Sequence, residues 1–259
     1  MVKPQTRRFT SKKQIVVIII IFWGCDIIEN NCFFAINKKP LGSVYISMKV
    51  ILLTYNPIEE NTYILFDETG ECAIVDPGCY FPEEKQHLVK TIKEHKLKPA
   101  KLLNTHCHFD HIFGNKFVAE TFGLLPEYHI NEERVLSAVY NRGIDFGFQV
   151  EPSPKAKNYI QDQAIISFGN TSLQCFYTPG HSPGGVCFYH KPSNQMIVGD
   201  VIFEMSIGRT DLPGGSYETL MRSIYQVILP LPENTILYPG HGRPTTVEKE
   251  KKYNPFLRN

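Results

Sequence analysis

A chain of 259 residues, 42% of them hydrophobic, is long enough for one large core of its own. Lys and Arg number 27 against 26 Asp and Glu, both signs are interspersed, and the net charge of +1 offers no basic stripe for a nucleic acid. Seven irregularly spaced cysteines with no Cys-x-x-Cys pair argue against a disulfide scaffold and for small buried or inert thiols.

The first 47 residues stand apart. Arg7, Arg8, Lys12 and Lys13 precede an apolar run from Ile15 to Cys25, too short to span a bilayer but suited to the core of a secretory signal. Gly24-Cys25 resembles the end of a lipoprotein signal, although Phe22-Trp23 before it are bulky for one. The competing reading, which we prefer, is an over-extended start. Met48 directly precedes an apolar strand-like run, Lys49 to Leu53, and the extension is dominated by Ile, Asn, Lys and Phe, as translated AT-rich upstream sequence would be. Translation from Met48 predicts a cytoplasmic protein; a real extension predicts an exported one. Residues 48–259 form the expected folded domain, and no stable membrane span is expected in either case.

Along that domain, Ala73-Ile74-Val75 is an apolar run that stops at the turn Asp76-Pro77-Gly78. Pro82 to Leu97 reads as an amphipathic helix with Lys85, His87, Lys90, Lys93 and His95 on its solvated face. Ala100 to Asn104 reads as a short strand, and the seven residues after it carry the chemistry. Thr105-His106-Cys107-His108-Phe109-Asp110-His111 sets three imidazoles and a carboxylate into six positions. Neutral imidazole nitrogens and carboxylate oxygens suit Zn²⁺, Fe²⁺ or Mn²⁺, and such groups crowded together would repel on protonation without a cation to organise them. His106 and His108 share a side only in extended backbone, while the adjacent Asp110 and His111 cannot share one in a regular element. A loop feeding two neighbouring metal positions is therefore expected, with Cys107 turned away from the ligands.

Asn131 to Asn158 reads as a helix and a loop, with Phe146 and Phe148 in the core or walling a site; His129 and His190 read as surface or packing residues. Further ligands are expected where strand-like runs meet Pro or Gly breakers. Leu173 to Tyr177 breaks at Thr178-Pro179-Gly180 and presents His181. Met196 to Val198 ends at Gly199 and presents Asp200. Thr235 to Tyr238 breaks at Pro239-Gly240 and presents His241. After Asp200, Gly208-Arg209-Thr210-Asp211 offers Arg209 either to a substrate carboxylate or to Asp211. Ser216 is expected to cap a helix from Tyr217 to Val227.

This motif series resembles the metallo-β-lactamase superfamily, and most closely its hydroxyacylglutathione hydrolase (glyoxalase II) branch. The resemblance runs from about Met48 to the C-terminus, with the motifs in family order. It implies an α+β fold, a four-layer αββα sandwich, with two divalent cations at one edge. His106, His108 and His181 would hold the first, Asp110, His111 and His241 the second, and Asp200 would bridge them. Asp76 matches a family position that would orient a ligand histidine. The implied chemistry is hydrolysis of a thioester by a hydroxide shared between two metal ions, with Asp110 orienting it. Zinc is preferred, with Fe²⁺ or Mn²⁺ as alternatives. The family's glutathione-gripping C-terminal helical domain has no counterpart in a chain that stops 18 residues after His241. Two other activities stay open: a mononuclear iron persulfide dioxygenase using His106, His181 and Asp200, and hydrolysis of a lactone or β-lactam. Oligomeric state is not legible.

Overall fold

The structure is a computed structural model that describes residues 47–258; the signal-like run falls outside these residues. β1 (Lys49–Tyr55), β2 (Glu60–Phe66) and β3 (Glu71–Val75) form an antiparallel meander. Tyr63, Leu65, Ala73 and Val75 point to one side, Ile64, Cys72 and Ile74 to the other, and all are buried. Alternate residues of a strand face opposite ways, so strands this apolar must be covered on both faces.

One cover is helical. α1 (Pro82–Glu94) crosses back so that β4 (Lys98–Leu103) pairs parallel with β3, and Leu88 and Ile92 pack on the outer face of the sheet. Glu84 starts the helix by accepting the Tyr80 and Phe81 amides at 2.7 and 3.0 Å. It ends at Glu94 rather than the predicted Leu97, which is buried on the way into β4. α2 (Phe109–Ile112), α3 (Asn115–Phe122), β5 (Pro126–Tyr128), α4 (Glu133–Asp145) and β6 (Asn158–Tyr159) follow. The strands β1 to β6 lie in sequence order in one six-stranded sheet.

The second sheet begins with an antiparallel meander of β7 (Ile165–Phe168), β8 (Thr171–Tyr177), β9 (Val186–His190) and β10 (Gln195–Gly199). A small hairpin, β11 (Ile202–Phe203) and β12 (Ser206–Ile207), leads to α5 (Tyr217–Ser223), which Ser216 caps by accepting the Thr219 amide. The predicted helix to Val227 continues past α5 as wider π-type turns over Ile224–Ile228. β13 (Ile236–Pro239) joins β10 in parallel, and β14 (Thr245–Thr246) forms the edge before α6 (Val247–Tyr253).

Between the sheets lie Tyr63, Leu65, Val75 and Leu103 from the first and Phe168, Leu173, Val186, Phe188 and Ile197 from the second. At about 1.5–3 kcal/mol for each large side chain fully buried, this interior holds the sheets face to face. Leu220 and Ile224 cover the outer face of the second sheet. The layers are helix, sheet, sheet, helix, the αββα sandwich the sequence led us to expect. All five cysteines among the described residues are free and buried. No helix among those residues is long and apolar enough to cross a membrane.

Candidate metal centre

Strand direction gathers the site. β8 and β10 flank β9, each antiparallel to it, and β13 runs parallel to β10. The ends of β8, β10 and β13 therefore share one edge, where they release His181, Asp200 and His241; β4 delivers its histidines to the same place. The sequence predicted a loop throughout residues 105–111, and here the structure differs. His106 to His108 lie outside any regular element, with His108 extended, but the chain turns helical at Phe109, so Asp110 and His111 lie on α2. One helical turn sets neighbouring side chains about 100° apart, which lets both reach a common centre from different directions.

Two groups result. The ligand atoms of His106, His108 and His181 lie within 4.8 Å of one another, and so do those of Asp110, His111 and His241. Asp200 stands between them. Its Oδ1 is 3.5 Å from His111 Nε2, and its Oδ2 is 3.3 Å from His181 Nε2 and 3.7 Å from His241 Nε2. Gly240 permits this closeness, since a Cβ there would collide with Asp200 Oδ1 and come within 2.6 Å of the His111 ring.

These atoms fit cations. His106 Nε2, His111 Nε2 and Asp200 Oδ1 are buried with no hydrogen-bond partner among the described residues, and each such atom costs about 1–3 kcal/mol. His108 Nδ1 meets His181 Nε2 at 2.9 Å, nitrogen against nitrogen. Burial, reinforced by the other imidazoles, keeps His106 well below its ordinary value and pushes His108 down to about 3. Both rings are therefore neutral, the form that donates a lone pair to a metal. Burial opposes ionisation of Asp110 and Asp200, yet the His111 and His241 imidazoles together outweigh it and hold both carboxyls below the usual range. Burial also works against charge on His111, but Asp200 and Asp110 overcome it and raise the ring. A cation would take the place of that proton.

Outer partners fix the rings. Asp76 Oδ2 meets His111 Nδ1 at 3.1 Å, while Asp76 also accepts the Thr105 amide at 2.7 Å and the Thr105 hydroxyl at 2.5 Å. Asp76, His106 and His111 could themselves group around an ion, but the carboxylate of Asp76 is already engaged by Thr105, an arrangement suited to orienting His111. His181 Nδ1 meets the Arg209 carbonyl at 2.8 Å, and His241 Nδ1 the Ile58 carbonyl at 3.1 Å. A ring whose Nδ1–H donates outward presents Nε2 inward. The Arg209 side chain is bound at 2.7 Å through Nε and Nη2 to Asp211, so its guanidinium takes the internal pair and its carbonyl serves the site.

Two carboxylates escaped the sequence reading. Glu132 is fully buried; its Oε2 accepts the Cys107 amide at 2.7 Å, and its Oε1 accepts the Ser182 hydroxyl at 2.5 Å and the Gly184 amide at 2.6 Å. It ties the loop of His106 and His108 to the loop of His181. In sequence it looks like the solvated acidic start of a helix. Glu60, also fully buried, accepts the Thr62 hydroxyl and lies 3.9 Å from His111 Nδ1. Burial pushes its carboxyl well above the ordinary range. A charged residue opening an apolar strand was the only signal. Cys107 is buried, with its thiol pushed well up by burial; His129 stacks on Tyr177, and His190 is buried beside Ser193.

Residues 55–241 match the model of the metallo-beta-lactamase superfamily, and the chain belongs to that superfamily. It is 39% identical to a Bacillus subtilis (strain 168) protein named "Probable metallo-hydrolase YqgX", covering 81% of this chain and 98% of that one. It is 30% identical to hydroxyacylglutathione hydrolase GloC of Haemophilus influenzae (strain ATCC 51907 / DSM 11121 / KW20 / Rd), covering 82% of this chain and 99% of that one. Among solved structures, the BLEG-1 B3 metallo-beta-lactamase is 36% identical with a TM-score of 0.76, covering 82% of this chain and 100% of that one. TTHA1623, solved in a di-iron-bound form, is 32% identical with a TM-score of 0.73, covering 80% and 100%. The chain thus combines membership of this superfamily with side-chain groups that could each hold a metal ion.

Proposed function

We propose that this protein is a dinuclear metal-dependent hydrolase that cleaves a thioester of the hydroxyacylglutathione type or a related thiol ester. The observation that carries the two-metal reading is Asp200, whose carboxylate stands between the groups, with Oδ1 near His111 and Oδ2 near both His181 and His241. His106, His108 and His181 would hold one cation and Asp110, His111 and His241 the other, with Asp200 between them. Bound there, such ions would acidify a water and stabilise the charge that develops on an attacked carbonyl. Zinc is the preferred metal, and the di-iron form of TTHA1623 keeps iron as the alternative.

The chain's own residues supply the rest. Asp110, held ionised and 3.2 Å from His241 Nε2, would accept the hydrogen bond that aims the attacking water and receive its proton. The outer partners hold the imidazoles in place before substrate arrives, so little reorganisation is left for the reaction. Similarity to GloC supports a thioester substrate.

A second reading, hydrolysis of a lactam or lactone, is favoured by the likeness to BLEG-1. The mononuclear iron dioxygenase alternative would leave Asp110, His111 and His241 without work, although they converge as a group. Metal analysis of protein purified without added metal, followed by S-D-lactoylglutathione and nitrocefin hydrolysis, tests all three. Two metal ions per chain with thioester cleavage is expected. A single iron with oxygen uptake on a persulfide, or cleavage of nitrocefin alone, would overturn the thioesterase reading.

A further inference from the structure

A cavity of about 780 Å³ opens onto the metal centre, with His108, Asp110, His181, Asp200 and His241 on one side. Its remaining walls are mostly apolar. Val135, Ala138 and Val139 line it from α4 at spacings of three and four residues, one helical face. Phe109, inside the histidine motif, lines it from α2, and its ring lies 5.5 Å from that of Phe146 and 5.7 Å from that of Phe148. Ile207 and Leu212 add further apolar wall. The polar side chains lining it away from the metal-facing residues are Arg134 on α4, Ser206 on β12 and Arg209, which is committed to Asp211.

We propose that this cavity receives the acyl half of the substrate, and that the acyl group is apolar: a medium-length alkyl or an aryl-substituted chain rather than a short hydroxyacyl. The inference rests on the thioesterase reading and names its substrate class. The reacting carbon must sit at Asp110 and Asp200, and the chain attached to it then runs along Phe109 and the Val135–Val139 face. Burying alkyl or aryl surface there is favourable, whereas a hydroxyl or a charged peptide would lose hydration against those walls. The polar thiol carrier is left to the open mouth. In the reaction, the oxygen of water bonds to the acyl carbon and the C–S bond breaks with its electron pair on sulfur. The proton from water passes through Asp110 to the thiolate, giving a carboxylic acid and a thiol. No oxidant or reductant is required.

The test holds the carrier constant. The metal-loaded full chain is assayed with glutathione thioesters of lactate, acetate, butanoate, hexanoate and octanoate. Within the straight-chain series, kcat/KM is expected to rise about three- to four-fold per added methylene until the cavity is full, with lactate below butanoate. Ala138→Trp, which fills the cavity, is expected to abolish the gain with length. Calorimetric binding of octanoate against lactate gives a readout independent of turnover, with octanoate expected at least tenfold tighter and A138W erasing the difference. Thioester cleavage that is flat or falls with acyl length overturns the proposal and leaves the thioesterase reading standing. A slope that survives in folded A138W puts the chain elsewhere and also overturns it. Cleavage of none of the thioesters overturns the thioesterase reading, and this inference with it.

Discussion

Asp76 and His111 meet at 3.1 Å, carboxylate Oδ2 to ring Nδ1, with both side chains buried. Asp76 sits at φ +48°, a left-handed conformation unusual for a residue with a side chain, and that backbone turn aims its carboxylate at both Thr105 and His111. The contact leaves His111 Nε2 facing the second group of ligands. Asp76→Ala is expected to weaken the second metal about 10–100-fold, while the His106, His108 and His181 position keeps its ion. Competition with a chromogenic chelator, read alongside thermal denaturation of the metal-free protein, separates this from a folding defect.

The two groups of ligands are expected to lose their ions independently. His181→Ala is expected to cost the first metal and His241→Ala the second, each leaving about one ion per chain. Asp200→Asn touches both groups, and its effect on kcat is expected to exceed the roughly 10–100-fold typical of an outer partner. Elemental analysis against protein concentration gives the stoichiometries. Equal loss of both ions in His181→Ala and in His241→Ala would show a single shared site.

Glu132 is expected to matter for stability as much as for the site. Its two oxygens receive three hydrogen bonds from Cys107, Ser182 and Gly184. The amide of Glu132→Gln has one accepting oxygen, so its NH₂ must confront a buried donor. With about 1–3 kcal/mol for each buried group left unpaired, a loss of about 2–4 kcal/mol is expected in urea denaturation of the metal-free protein. A change within error would mean that the two loops are held by something else.

Acid should reveal Asp67. Its carboxylate accepts the Thr69 amide and hydroxyl at 2.9 and 2.6 Å, the Asn170 amide at 2.7 Å and the Thr171 hydroxyl at 2.9 Å, joining the end of β2 to the β7–β8 turn. Burial works against its charge, but these bonds outweigh burial and lower its pKa. A group whose folded value lies below its unfolded value of about 3.9 stabilises above that pH, and the contribution is lost as pH falls through the folded value. Asp67→Asn is expected to be less stable by about 1–3 kcal/mol near neutrality. The gap should hold down to about pH 5 and close below about pH 4. Denaturant curves for both proteins across that range check it.

Much of the candidate site was legible because chemistry and strand endings are both local in sequence. His106, His108, Asp110 and His111 stand together, and His181, Asp200 and His241 each follow an apolar run broken by Pro or Gly. The structure places all seven at one edge. Glu132 and Glu60 were not legible, because their roles depend on burial. A glutamate at a helix start and one at a strand start look solvated until the loops that cover them are in place.

By itself, the sequence determined the inventory of metal-competent side chains, and the order of its motifs, through the family resemblance, implied the layering. Only the tertiary structure decided how these parts meet. It turned the chain helical at Phe109, so that Asp110 and His111 reach one group. It gave the Arg209 guanidinium to Asp211 and its carbonyl to His181. It set α4 over the metal centre to make an apolar cavity of Val135, Ala138 and Val139. Each is settled by contacts between residues far apart in the chain, where local pattern carries no distance information.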